Sequence, residues 1–191
     1  MDTCLERLKN ERKVSRRSPR SALPCTHLEW RKNRPVGFVA KPSENADGTN
    51  NMLVWRLKIP AKASSIWAPG LFSATMTFTS EYPARPPRVT FDRIGGELLF
   101  HPNVYDDGGV CLSIINPPES THGYGRGGTW LPTISIREVC LALQTFLDEP
   151  NLGSPASRAG GNRPYEACRR SREEYARLVK QQVGRAEVAS G

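Results

Sequence analysis

The sequence predicts an α+β fold: an N-terminal helix, a four-stranded antiparallel meander, a cysteine-bearing loop, a central helix and C-terminal helices. Three observations indicate this order. Residues 2–14 show the spacing of an amphipathic helix, residues 38–91 contain segments with the two-residue alternation of strands, and residues 135–182 return to helical spacing. Four strands that follow one another in this way form a meander.

The first helix is marked by Leu5 and Leu8 on one face, with charged residues covering the other. Residues 15–29 then break the pattern with a Ser-, Arg- and Pro-rich composition that has little to bury. We interpret this stretch as a flexible insert, with an artefact of the gene model as the alternative.

Four strands follow the insert. The second is the clearest, because Leu53, Trp55, Leu57 and Ile59 alternate with more polar residues and so predict a sheet strand with one covered face. The predicted strands begin at Phe38-Val39-Ala40 and cover residues 53–59, 71–78 and 88–91. Between the third and fourth strands, the prolines of Tyr82-Pro83-Ala84-Arg85-Pro86-Pro87 predict a rigid, extended connection.

The second half of the chain is predicted to be helical after a long loop. Residues 116–129 are rich in Gly and Pro and form an extended, mobile loop, which Trp130 anchors at its far end. Ser135 and Glu138 form a capping box, and an apolar stripe that includes Cys140 follows to Leu147. A further helix is expected from Tyr165 to about Gln182.

Length and composition indicate a single core domain. We place it at residues 1–182 of the 191-residue chain, with a frayed tail at 183–191. The five cysteines are odd in number and include no C-x-x-C pair, so neither a disulfide framework nor a metal site is favoured. Met1–Asn10 lacks the apolar core of a signal peptide, and no run approaches the roughly 18 residues of a membrane span. We expect a soluble, intracellular protein.

The net charge of +8 is concentrated at one end of the chain. Residues 1–34 hold ten Lys/Arg against four Asp/Glu and carry +6 of it. A localised basic face indicates an acidic protein partner or nucleic acid. Because the sequence shows no finger spacing, interleaved aromatics or basic recognition helix, direct nucleic-acid binding is disfavoured.

One stretch carries candidate chemistry. Residues 106–109, Asp-Asp-Gly-Gly, supply a tight turn, and Cys111 follows where the turn leads into an apolar run. Asn103, eight residues upstream, has a side-chain amide that can donate to a developing oxyanion without a change of charge. On the residues alone, Cys111 as a small buried hydrophobe and Asn103 as a partner of loop backbone remain open.

The motifs together resemble the conjugating enzymes of ubiquitin-like modifiers. The motifs in order are Tyr82-Pro83-x-x-Pro86-Pro87, His101-Pro102-Asn103, Cys111 and Trp130-x-Pro132. The resemblance covers residues 1–14 and 30–182 and is greatest to the SUMO-conjugating branch of that family. The stretches that carry the SUMO-type resemblance are residues 5–13, 30–32, 37–40, 47–52, 101–113 and 165–175.

The resemblance implies a catalytic role for the loop around Cys111, which becomes the active-site loop. Cys111 is then the nucleophile that accepts a modifier as a thioester from an activating enzyme and passes it to substrate lysines. Asn103 stabilises the oxyanion or holds the adjoining loop, while Tyr105 and Ser154 position the lysine. No metal, nucleotide or other cofactor is implied for this chain.

The resemblance also implies partners and places. The modifier and the heterodimeric SUMO-activating enzyme are expected to bind a basic surface. SUMO ligases and substrate proteins are the other expected partners, and no direct binding to nucleic acid or to a membrane is implied. Nucleus and cytoplasm are the expected compartments. The basic surface consists of Arg12, Lys13, Arg31, Lys32 and Arg34, and the substrate-contacting residues are Arg88, Thr90, Asp107 and Pro155.

Departures from the family pattern keep two alternatives open. Ser154 stands where the SUMO enzymes carry an aspartate, a charge that phosphorylation would restore. Asp107 and Gly109 replace small hydroxyl residues, and Arg88 and Thr90 replace two lysines, so recognition of the usual acidic acceptor motif is not implied. The long 116–129 loop resembles loop-extended ubiquitin-conjugating enzymes, which gives the first alternative. A non-catalytic scaffold that binds a modifier is the second.

Overall fold

The computed structural model describes residues 2–12, 30–119 and 127–188. The predicted insert at 15–29 and Lys13 therefore lie outside the described residues. The helices and strands, in chain order, are α1 Asp2–Arg12, α2 Trp30–Asn33, β1 Val39–Glu44, β2 Asn50–Pro60, β3 Gly70–Thr77, β4 Arg88–Phe91, α3 Ile136–Asp148, α4 Arg163–Arg170, α5 Arg172–Val183 and β5 Glu187–Val188. No helix among these described residues is long and apolar enough to cross a membrane.

The sheet confirms the predicted meander, because β1, β2, β3 and β4 lie side by side in sequence order and pair antiparallel. Trp55, Leu57 and Ile59 of β2 point into the core as their alternation predicts. Leu53, which belongs to the same alternating set, is instead exposed. A register shift at Pro42/Ser43 of β1 leaves residues 52–54 of β2 without partners in β1, and such an irregularity interrupts the alternation of side chains.

Helix α3 begins at the predicted capping box. The Ser135 hydroxyl accepts a hydrogen bond from the Glu138 N–H, and the Glu138 carboxylate accepts one from the Ser135 N–H. The apolar stripe of α3, Cys140 included, is buried in the core. Trp67 lies in the connection between β2 and β3, and its Nε1 donates a hydrogen bond to the Leu147 carbonyl of α3 at 2.6 Å.

The C-terminal region differs from the prediction in two respects. Helix α4 ends and α5 begins at Ser171, whose extended backbone interrupts the expected single helix and whose hydroxyl caps α5 by accepting from the Glu174 N–H. The tail predicted to fray at 183–191 instead forms β5 at Glu187–Val188, which pairs with Gly70 and Leu71. This pairing is available because β4 covers only residues 74–77 on that edge of β3.

Two of the sequence motifs support each other in the fold. Tyr82 is buried, and the carbonyl of the next residue, Pro83, accepts a hydrogen bond from Trp130 Nε1 at 2.9 Å. The rings of Tyr82 and Trp130 pack at a centroid distance of 6.1 Å. The connection before β4, which forms turns at residues 80–84 and not the extended conformation that its prolines predicted, therefore anchors the far end of the long loop. Residues 120–126 of that loop lie outside the described residues.

The base of that loop is a narrow neck. Gly128 donates its N–H to the Pro117 carbonyl at 3.0 Å, and Trp130 donates its N–H to the Asn116 carbonyl at 3.2 Å. A Cβ atom placed on Gly128 would overlap the carbonyl oxygen of Asn116. The two arms of the neck thus approach at a distance that only glycine permits.

We expect Gly128→Ala to destabilise the protein, because the neck must open to admit a methyl group. Overpacking of this kind costs about 1–3 kcal/mol, which corresponds to a loss of several degrees in Tm. Gly160→Ala is the matched control, since nothing lies within 4 Å of a Cβ there and the residue needs no positive φ. Thermal unfolding of both variants checks this expectation, and equal midpoints would mean that the neck tolerates a side chain.

Candidate active site

Cys111 lies directly after a tight hairpin that residues 104–110 form. Val104 and Val110 form an isolated antiparallel bridge, and the Tyr105 N–H donates to the Gly109 carbonyl at 2.8 Å. The Cys111 N–H then donates to the Asn103 carbonyl at 2.9 Å. These bonds fix the backbone on both sides of the thiol, which is partly exposed.

The turn of this hairpin depends on Gly108. Its φ of +82° is in the left-handed region, and a Cβ there would lie 2.7 Å from the Phe91 carbonyl oxygen. Asp107 stabilises the same turn by accepting the Gly109 N–H at 2.7 Å. The local sequence thus accounts for where the thiol is placed.

Asn103 is buried, and its carboxamide is bonded to the loop at 151–154. Its Nδ2 donates to the carbonyls of Asn151 and Ser154 at 2.9 and 2.8 Å, and its Oδ1 accepts the Asn151 N–H at 2.8 Å. Both amide hydrogens are therefore engaged by the protein itself. Of the two roles expected for Asn103, holding the adjoining loop is the one that this arrangement displays.

Tyr105 lies beside the thiol. Burial is the largest cause that raises the pKa of its hydroxyl, and the neighbouring Cys111 and Asp107 side chains raise it further. The phenol consequently stays protonated at neutral pH. It can donate to a sulfur or oxygen that gains negative charge at this site.

His101, the first residue of the His101-Pro102-Asn103 motif, supports the site through its buried side chain. Its ring is fully buried, lies 4.0 Å from the Phe146 ring, and accepts the Asn103 N–H at Nδ1 over 3.1 Å. Burial lowers the pKa of His101 to about 3, so the imidazole is neutral. The motif alone could have suggested a structural histidine.

We expect this buried imidazole to make stability depend on pH. Between the unfolded pKa near 6.5 and the folded value of about 3, the unfolded chain binds a proton that the folded chain does not. Stability therefore falls as the pH drops through that window, by at most about 1.4 kcal/mol per pH unit. Urea unfolding from pH 7 to 4 should show a smaller slope for His101→Gln than for the wild type. Identical slopes would contradict the assignment.

Two depressions flank the thiol. On one side, a groove of about 830 Å³ lies between α3 and the segments at residues 111–116, 127–129 and 151–154. Asn103 and Cys111 are among its lining residues. Its walls comprise Leu112, Ser113, Ile114, Asn116, Gly127, Gly128, Thr129, Ala142, Thr145, Phe146, Glu149, Asn151, Gly153 and Ser154. On the other side, Tyr105, Pro87 and Arg88 help line a cleft of about 260 Å³. The thiol is thus close to an apolar groove and to a smaller cleft.

The structure also places the predicted substrate-contacting residues. Arg88 forms an ion pair with Asp107, and both side chains are exposed. Thr90 pairs with Gly109 across an isolated bridge, while Pro155 is partly buried next to Ser154. Arg88, Thr90 and Asp107 therefore lie in or beside the hairpin that precedes Cys111.

The predicted basic surface is only partly described. Arg34 is exposed, and Lys13 lies outside the described residues. Arg12 belongs to α1 while Arg31 and Lys32 belong to α2, and these two helices contact each other. The structure therefore brings together the backbone segments that carry these charges.

The family model described as ubiquitin-conjugating enzyme matches residues 20–183, which is most of the chain. The chain belongs to the ubiquitin-conjugating enzyme family. This conclusion confirms the resemblance and the fold expected from the sequence.

Several relatives of this conjugating enzyme are SUMO-conjugating enzymes by name. The SUMO-conjugating enzyme SCE1 of Arabidopsis thaliana is 42% identical over 163 residues, which cover 85% of this chain and 91% of the relative. The Sumo-conjugating enzyme ubc9 of Dictyostelium discoideum is 39% identical over 80% of this chain and 86% of its own. The SUMO-conjugating enzyme UBC9 of Caenorhabditis elegans is 37% identical over 81% and 82%.

Membership makes this conjugating enzyme a transferase that works through a cysteine thioester, as the sequence analysis expected. The described cysteines differ in their surroundings. Cys4 and Cys140 are buried, and burial raises the pKa of Cys140 to about 12. Cys168 is half-buried within α4, and burial raises its pKa as well. Among these cysteines, Cys111 is the one that directly follows the hairpin and lines the groove.

Proposed function

We propose that this protein is a SUMO-conjugating enzyme, in which Cys111 accepts SUMO from the activating enzyme as a thioester and passes it to substrate lysines. The observation that carries the proposal is the position of the partly exposed Cys111 thiol, beside the Tyr105 hydroxyl and the apolar groove. The names of the similar proteins support SUMO as the modifier. Buried thiols with a raised pKa, such as Cys140, are poor nucleophiles and do not compete for the role.

The proposed reaction has two acyl transfers. In the first, the Cys111 thiolate attacks the thioester carbonyl on the activating enzyme, a new C–S bond forms and the activating enzyme's sulfur leaves as a thiolate. In the second, a lysine amine attacks the new thioester, a C–N bond forms and the Cys111 sulfur leaves. The attacking amine gives up its proton, and no electron transfer occurs in either step.

The groove suits the tail that the first transfer delivers. An extended chain end needs an open channel that leads to the sulfur, and the groove that Cys111 lines also has Gly127, Gly128 and apolar side chains among its lining residues. We infer that the C-terminal tail of the modifier lies along this groove with its last carbonyl at Cys111.

Asn103 is proposed to act in the second transfer. Its hydrogen bonds to the 151–154 loop fix the wall of the groove beside the thiol, and the same amide is of the type that stabilises an oxyanion. Since both amide hydrogens are already engaged, donation to the oxyanion requires one loop carbonyl to be released. Loop support is therefore the primary role that we propose for Asn103.

The acceptor lysine is proposed to approach between Tyr105 and Ser154. A lysine has a pKa near 10.4 in water and must attack as the neutral amine. Partial burial next to the uncharged Tyr105 phenol favours that neutral form. Ser154 contributes no charge, so proton removal at this site relies on desolvation and positioning.

The neighbouring Arg88 and Asp107 bear on the choice of acceptor. Because the two side chains neutralise each other in an ion pair, an acidic residue near the acceptor lysine has to compete with Asp107 for Arg88. We propose that the substrate is contacted by Arg88, Thr90, Asp107 and Pro155. Because Arg88 is paired with Asp107, the enzyme should prefer acidic residues beside the acceptor lysine less strongly than it would with an unpaired cation there.

Partners and compartments complete the proposal. We infer that SUMO and the heterodimeric activating enzyme bind the basic N-terminal region, and that ligases and substrate proteins meet the enzyme elsewhere. The proposed binding residues are Arg12, Lys13, Arg31, Lys32 and Arg34. We propose the nucleus and the cytoplasm as the sites of action.

Paired charging assays test the function. Purified full-length protein is incubated with ATP and either the SUMO-activating enzyme with SUMO or the ubiquitin-activating enzyme with ubiquitin, and adducts are resolved on non-reducing gels. We expect a dithiothreitol-sensitive adduct with SUMO only. An adduct with ubiquitin only would make the protein a loop-extended ubiquitin-conjugating enzyme, and no adduct with either would leave a modifier-binding scaffold.

A further inference from the structure

The loop at residues 151–162, here called the support loop, is held against the turn that carries Asn103 by more than Asn103 itself. The Pro102 carbonyl accepts the Ala156 N–H at 2.9 Å and Asn162 Nδ2 at 2.7 Å. Asp106 accepts the Ala159 N–H at 2.8 Å. A charged side chain of the support loop, Arg158, donates to the same segment of the chain.

Arg158 reaches two carbonyls on opposite sides of Asn103. Its Nε donates to the Val104 carbonyl at 2.8 Å and its Nη2 to the His101 carbonyl at 3.1 Å. The side chain is partly buried, and the guanidinium remains charged because the pKa of arginine is far above neutral even where burial lowers it. Hydrogen bonds from a charged donor are stronger than neutral ones, so this is a firm attachment.

The hydrogen bond to the Val104 carbonyl matters because it restrains the peptide bond that precedes Tyr105. The carbonyl belongs to the peptide bond whose N–H is that of Tyr105, and this N–H donates to the Gly109 carbonyl at 2.8 Å. One peptide plane is thus fixed from both ends, by Arg158 at its oxygen and by Gly109 at its nitrogen. Tyr105 follows that plane directly, and Cys111 follows Val110, which pairs with Val104 across the hairpin, so the orientation of the plane constrains where the Tyr105 side chain lies relative to Cys111.

We propose that Arg158 is a positioning residue for the transfer to lysine, acting through the Val104–Tyr105 peptide to hold the Tyr105 hydroxyl against Cys111. The inference rests on the proposed function and adds to it a residue that contacts neither the thiol nor the acceptor. When the amine forms its C–N bond, the C–S bond breaks and negative charge returns to the Cys111 sulfur. A correctly placed phenol donates to that sulfur, and a displaced one does not.

The test is a single-turnover discharge assay on the full-length protein. Wild type and Arg158→Met are charged with SUMO, the activating enzyme is stopped, and loss of thioester is followed over a series of free lysine concentrations. We expect Arg158→Met to lose about tenfold to 10²-fold in the maximal discharge rate, the range for a misplacement of the order of 1 Å. The lysine concentration at half-maximal rate and the rate of charging should stay unchanged.

Conservative and remote variants separate positioning from general damage. Arg158→Lys keeps a cation with a single ammonium, so it should recover part of the rate by binding one of the two carbonyls. Arg177→Met, on the exposed face of α5, is the matched control and should discharge like the wild type. If Arg158→Met does not fold, the maximal discharge rate of Arg158→Lys is compared with that of the wild type, and Arg158→Lys should be slower.

A double-mutant cycle decides whether the effect passes through Tyr105. In a Tyr105→Phe background, Arg158→Met should slow discharge little further, because the hydroxyl that it positions is absent. Equal fractional losses in both backgrounds, or a parallel fall in charging, would overturn the positioning role. Failure of the wild type to charge with SUMO would instead overturn the proposed function, so the two failures are distinct.

Discussion

Cys111→Ser is expected to abolish the dithiothreitol-sensitive adduct and to leave either a stable oxyester with SUMO or no adduct. Serine places a hydroxyl where the thiol lies, and an oxyester resists both the reductant and the attacking amine far better than a thioester does. Charging followed by non-reducing and reducing gels, and then by exposure to free lysine, measures both properties.

Cys140→Ser and Cys168→Ser are the controls for this experiment. Cys140 is buried in α3 and Cys168 is half-buried in α4, so neither change should remove the thioester. Cys140→Ser places a hydroxyl in the core and should lower stability, which thermal unfolding would register separately. An unchanged thioester in Cys111→Ser would remove Cys111 from the proposed role.

Asn103→Ala is expected to leave charging with SUMO intact and to slow discharge to lysine by roughly 10²-fold, the size of effect that a misplacement of about 1 Å near the reacting atoms produces. The physical reason proposed here is support of the 151–154 loop. Without the carboxamide, the Asn151 N–H and the carbonyls of Asn151 and Ser154 lose their partners, at a cost of about 1–3 kcal/mol for each group left buried and unpaired.

Amide hydrogen exchange separates loop support from direct oxyanion stabilisation. The Ala156 N–H donates to the Pro102 carbonyl and reports whether the support loop stays attached. Faster exchange at Ala156 in Asn103→Ala, in step with slower discharge, would agree with loop support. Slow discharge with unchanged exchange would assign the effect to the oxyanion, and an unchanged discharge rate would remove Asn103 from the transfer step.

Much of the fold could be predicted because its signals are local. The alternation in β2 and β3 and the capping box at Ser135 and Glu138 depend on neighbours within a few residues, and the structure confirms them. The break at Ser171 was missed because residues on both sides of it favour helix. The pairing of Glu187–Val188 with β3 was missed because an open edge exists only after the sheet has formed.

The sequence by itself determined the turn that presents Cys111, the amide eight residues before it, and the family to which those motifs belong. These follow from residue chemistry and short spacings, which the chain carries before it folds. Only the tertiary structure decided that Asn103 is engaged by residues 151 and 154, and that Arg158 reaches the carbonyls of His101 and Val104. The partners in those contacts are about 50 residues apart, and hydrogen bonds at that separation exist only where the folded backbone brings donor and acceptor within 3 Å or so of each other.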